Sequence, residues 1–111
     1  MKYALLINEK PGENGLSEDE RQAITAEYMT ISAEPGCVGG DQLQPAHTAT
    51  TVRVHDGQTL TTDGPFADTK EVFGGYFLFE LDNLDKAIEV AARIPAARLG
   101  GSVEVRPVVE R

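Results

Sequence analysis

The chain has 111 residues, 41% of them apolar and 25% charged, and a formal net charge of −8. That length is one domain, 1–111, which can bury roughly two-thirds of its unfolded surface without staples. Lys and Arg total only 10 and form no cluster, which makes nucleic acid and anionic membrane poor partners, since phosphate binding needs a basic patch.

Residues 2–8 are an apolar run, with Tyr3, Leu5 and Ile7 on one face and Ala4, Leu6 and Asn8 on the other. They read as a strand buried on both sides. Residues 9–16 are polar and glycine-containing, hence a loop. Ser17-Glu18-Asp19-Glu20 is a capping box that starts a helix, and Ile24, Tyr28 and Ile31 mark its inner face. Pro35-Gly36 ends it.

Residues 37–43 form a strand in which Gly39-Gly40 predicts a bulge or a close backbone contact. Residues 49–54 and 59–62 are rich in Thr and Val, and Asp56-Gly57 between them signals a hairpin with a type I′ turn. Residues 72–81 form the next strand, with Phe77, Phe79 and Leu81 on one face and Tyr76, Leu78 and Glu80 on the other. Asp82 or Asn83 caps a second helix, whose apolar stripe is Leu84, Ala87, Ile88, Ala91 and Ile94. Glu89 and Arg93 lie outside it at pairing distance. Residues 102–108 are the last strand, with Val103 and Val105 opposite Glu104 and Arg106.

The order is β-α-β, an inserted hairpin, then β-α-β. Two helices cannot cover both faces of such a sheet. The expected fold is an α+β ferredoxin-like sandwich with both helices on one face. The bare second face predicts a homodimer, with a small-molecule cleft between two facing sheets.

The shaped loop at Asp63-Gly64-Pro65-Phe66 carries the chemistry. Gly64 and Pro65 favour neither helix nor central strand. An acid opens the loop, and Lys70-Glu71 close it before Gly74-Gly75-Tyr76. Asp63 suits two roles: an Asx-turn acceptor, or a base abstracting a proton beside a carbonyl. Lys70 either pairs with Glu71 in solvent or binds a substrate carboxylate. Arg106 is an anion fork if its face lines a cleft, and otherwise a salt-bridge partner. Tyr76 is core or a hydroxyl donor. His55 sits at the hairpin tip, and His47 follows Pro45-Ala46. Cys37 is the lone cysteine and reads as a small buried hydrophobe in a reducing, cytoplasmic setting. No residue spacing suggests a metal, a P-loop or a dinucleotide site. The first apolar run is too short for a signal peptide, and none spans a membrane.

The run TTDGPFADTKEVFGGYFLFEL, preceded by GGDQLQP and TATTVR and followed by DKAIEVAARIP and VEVRPV, closely resembles the YCII-related, DGPF-domain family. The resemblance spans essentially the whole chain. It implies a ferredoxin-like fold that dimerises in the α/β-barrel manner, with an active-site cleft and no cofactor. Relatives in that superfamily include cofactor-free isomerases, lyases and monooxygenases acting on small, often cyclic, acids. DGPF domains also occur beside sigma factors, which implies a ligand-sensing or protein-interaction module as the alternative function. Shorter family members carry a His–Asp pair. Asp63 corresponds to the Asp, while residues 17–34, where the His would lie, contain none. The functional expectation is acid/base lyase or isomerase chemistry on a small organic acid. Asp63 is its base and Tyr76 its proton donor. Lys70 or Arg106 anchors the substrate, and Gly64, Pro65 and Phe66 shape the site.

Overall fold

The computed structural model describes residues 1–10, 15–64 and 70–111. Its elements in chain order are β1 (Lys2–Glu9), α1 (Glu18–Ser32), β2 (Cys37–Gln42), β3 (Thr50–His55), β4 (Gln58–Asp63), β5 (Val72–Glu80), α2 (Leu84–Arg93) and β6 (Ser102–Pro107). Short 3-10 turns occupy Ala46–Thr48 and Pro95–Ala97. Four strands form one antiparallel sheet in the order β2-β5-β1-β6, and among the described residues β3 pairs with β4 alone. With the inserted hairpin set aside, this is the ferredoxin-like order.

Local chemistry explains the elements. The Ser17 hydroxyl accepts from the Glu20 amide at 3.1 Å, and the Glu20 carboxylate accepts from the Ser17 amide at 3.3 Å, completing the capping box. Asn83 caps α2 by accepting from the Lys86 amide at 3.0 Å. At the hairpin tip Asp56 and Gly57 take φ of 49° and 75°, the left-handed pair a type I′ turn requires. The expected irregularity in β2 is present. Its register shifts between Cys37 and Gly39, and Gly40 has φ 136° with the Tyr76 carbonyl where a Cβ would stand.

The core lies between the helices and one sheet face. Tyr3, Leu5 and Ile7 alternate inward from β1, and Phe77 and Phe79 do so from β5. They meet Ile31 of α1, Ala87 and Val90 of α2, and Ile94 and Ala96 beyond it. Phe79 and Phe77 pack edge to face at 6.1 Å.

The α2 stripe is rotated from its sequence expectation. Ala87, Val90, Ala91 and Ile94 are buried, while Leu84 and Ile88 are each 50% exposed. Arg93 does not wait on Glu89. Its guanidinium donates two hydrogen bonds of 2.8 Å to Glu34, after α1, and so ties the ends of the two helices together. The other sheet face carries Ala4, Leu6, Tyr76, Leu78, Glu104 and Arg106, by strand alternation and cross-strand register. Neither helix covers it. Among the described residues no helix is long and apolar enough to cross a membrane.

Candidate functional site

A cavity of about 690 Å³ opens between α1 and the sheet. The sequence explains why it exists. Along β5 the inward positions alternate Gly75, Phe77, Phe79, and at Gly75 the β2 backbone passes so close that a Cβ would stand 2.8 Å from the Asp41 carbonyl oxygen, so no side chain enters the space from there. Gly40 and Gly74 thin the same end of the floor. The roof is equally open. Over its 15 residues α1 fully buries only Ile31, while Ile24 and Tyr28 are half-buried above the cavity. This hollow lies on the helix side of the sheet. The sequence reading had placed the cleft against the bare face.

Several ionisable groups border the cavity. Glu9 and Lys10 come from the end of β1 and the residue after it, Arg21 and Tyr28 from α1, and Asp41 from β2. Gly74 makes room for one of them, because a Cβ there would stand 2.6 Å from the Glu9 carboxyl carbon. The Tyr28 ring stacks on Phe77 with centroids 6.4 Å apart. Burial pushes the Tyr28 phenol above its ordinary value, and the Glu9 carboxylate adds to this, while a hydrogen bond with the Ala96 backbone opposes it. Tyr28 thus presents a protonated phenol stacked on Phe77, with carboxylates and cations around the rim. Such an arrangement can hold an anionic small molecule and exchange protons with it. Among the described residues no three His, Cys, Asp or Glu side chains are placed to hold a metal ion.

The residues proposed from the sequence are spread over three places. Asp63 ends β4 opposite Thr50 and is exposed. Gly64 follows it with φ 98°. Its amide donates to the Ala49 carbonyl at 2.7 Å, and its carbonyl accepts from the Thr51 hydroxyl at 2.9 Å. These bonds fasten the start of the loop to the base of the hairpin. Pro65 and Phe66 lie outside the described residues. Lys70 is exposed, and Glu71 accepts from the Ser102 hydroxyl. Arg106 is on the bare sheet face, ion-paired with Glu104. Tyr76 borders the cavity, although alternation along β5 sends its ring to the face opposite Phe77. His47 is exposed in the 3-10 turn, and His55 is exposed at the hairpin tip beside Asp56 at 3.3 Å. Of the seven proposed residues, only Tyr76 is among the described lining.

Tyr28, Glu9, Lys10, Arg21 and Asp41 line the cavity and are not among the residues proposed from the sequence. A signal existed. Arg21, Thr25, Tyr28 and Ser32 recur at helical spacing, a polar row beside the apolar one, and all four line the cavity.

The family profile of the YCII-related domain matches residues 1–111. The chain belongs to the YCII-related domain family. An uncharacterised protein of Rhizobium meliloti (strain 1021) is 33% identical over 114 residues, covering 97% of this chain and 92% of that protein. Among solved structures, this YCII-related domain is similar to 5-chloro-2-hydroxyhydroquinone dehydrochlorinase (TftG) from Burkholderia phenoliruptrix AC1100, in complex with 2,5-dihydroxybenzoquinone. The TM-score is 0.55 at 16% identity, covering 100% of this chain and 96% of that one. The similarity is one of fold. It agrees with the ferredoxin-like α+β architecture of the YCII-related domain.

Proposed function

We propose that this YCII-related protein is a homodimer that binds a small organic acid in the cavity beneath α1 and acts on it by cofactor-free acid/base chemistry of the lyase or isomerase kind. The observation that carries this reading is the cavity itself, within the size range of small-molecule sites, with a protonated phenol, two carboxylates and two cations around a floor of glycines, Ile7 and Phe77. Lys10 and Arg21 hold the substrate's anionic group. Glu9 or Asp41 takes a proton from carbon beside a carbonyl, and Tyr28 gives one to the departing group or to the developing oxyanion. TftG is a dehydrochlorinase seen with 2,5-dihydroxybenzoquinone, which makes hydroxylated quinones and small cyclic acids the first probes.

The test is a thermal-shift screen with those compounds on wild type, Tyr28→Phe, Arg21→Ala and Asp63→Ala. A ligand at a hundred times its dissociation constant adds about 2.7 kcal/mol, several degrees for a domain of this size. The expected result is a shift in wild type that Arg21→Ala abolishes. Turnover of the bound compound then falls in Tyr28→Phe while binding remains. A shift lost only in Asp63→Ala would move the site to the DGPF loop. No shift with any compound, beside a stoichiometric protein partner, would favour the interaction-module alternative.

A further inference from the structure

The hairpin β3–β4 is built as an arm with one face that is uncharged beyond its base. It forms a two-stranded sheet of its own, and all of its strand residues except Thr51 are exposed. Its register sorts the side chains into two rows. Val52 pairs with Thr61 and Val54 with Thr59, so one face beyond the base holds only Val and Thr. The opposite face carries Arg53, His55, Gln58 and Leu60. Val52 is 59% and Val54 is 69% exposed. Both outer strand edges lack Pro and Lys, two of the usual protections against pairing, and Arg53 is the one charge in their middle. An isolated two-stranded ribbon is marginal in water. The arm also extends the molecule: the Cα radius of gyration is 15.8 Å, against about 13 Å for a compact chain of this length.

We infer that the arm is a clasp, and that the Val52/Val54 face of β3–β4 lies on a second copy of this chain and completes its dimer interface. The inference rests on the homodimer of the preceding reading and adds the element that holds it. Area argues for a second copy. A four-stranded sheet face with strands of this length offers on the order of 400 Å², about half of the roughly 800 Å² per partner that a standard interface needs. The Val52/Val54 face of the arm adds on the order of 200 Å², which brings the total to roughly 600 Å² per partner, the lower end of the standard range. The bare sheet face has matching chemistry, with Ala4, Leu6 and Leu78 at its centre, so two copies related by a two-fold axis cover both apolar surfaces of each chain at once.

The test is sedimentation velocity of the full chain across a wide concentration range, on wild type, Val52→Asp/Val54→Asp and Leu78→Asp. Hydrogen exchange of the arm amides is followed at both ends of the range. None of these positions belongs to the core, and near-ultraviolet dichroism checks that each variant is folded. The expected result is a wild-type dimer whose arm amides gain protection with concentration. The arm variant weakens association by at least about tenfold. A dimer unchanged in the arm variant but broken by Leu78→Asp would overturn the clasp and leave the sheet-face dimer standing. A wild-type chain that stays monomeric throughout would overturn both.

Discussion

Gly40 sits where β2 must pass β5 closely enough to keep the cavity floor thin. Its φ of 136° lies in a region side chains avoid, and a Cβ would stand 2.3 Å from the Tyr76 carbonyl oxygen and 2.8 Å from the Phe77 Cα. Those neighbours are backbone of a central strand and cannot swing aside. Gly40→Ala should therefore cost at least about 2 kcal/mol, adding backbone strain to the steric conflict. Gly57→Ala shares the positive φ but meets nothing within 4 Å, so strain alone acts there, about 1 kcal/mol. Urea denaturation of the two variants measures the difference, and equal losses would mean that the β2–β5 approach is not tight. At this scale the sequence was half legible. Gly39-Gly40 could be read as a bulge because glycine inside a strand pattern has few other uses. Gly75 could not be read as a cavity, because an empty place beneath a helix becomes visible only once α1 is laid over β5.

Among the elements, those with strong local chemistry were the ones the sequence specified. The capping box, the Asp56-Gly57 turn and the alternation of β1 and β5 are each decided within a few residues, and each is found where it was expected. The face of α2 was not decided locally. Leu84 and Ile88 are larger than Ala87 and Ala91 and drew the apolar stripe toward themselves. In the fold, close approach of the helix to the sheet favours the small side chains, and Val90 enters the core instead. Val90→Ala, at 6% exposure, should then cost about 2 kcal/mol. Leu84→Ala, which removes more carbon from a side chain in a residue 50% exposed, should cost less than about 1 kcal/mol. Denaturant midpoints at constant m decide the order, and a larger loss at Leu84 would restore the sequence-read stripe. The site resisted local reading for a related reason. Its groups come from the end of β1, two turns of α1 and β2, and only the antiparallel crossing of those elements brings them around one hollow.

Across the whole molecule the two helices share one sheet face, yet their surfaces meet sparingly, and Glu34–Arg93 is a tie between residues 59 positions apart. Hydrogen bonds from the Arg93 guanidinium are the main reason the Glu34 carboxyl is held below its ordinary 4.5, with burial opposing and charge attraction assisting. The folded state therefore binds this proton less readily than the unfolded chain. The stabilisation is present in full above the ordinary carboxylate value, and it is lost as pH falls through the lowered one. Arg93 is 47% exposed and Glu34 28%, so solvent screening limits the pair to about 1 kcal/mol, at the upper end for such bridges because both bonds are bidentate. Arg93→Met keeps the aliphatic stem and removes the donors. It should be less stable than wild type at pH 7, and that deficit should shrink toward zero as the buffer is taken well below the ordinary value, while the Glu34 carbon resonance titrates at higher pH than in wild type. A deficit that stays constant with pH would assign the loss to packing of the stem and remove the ion pair as the tie between the helices.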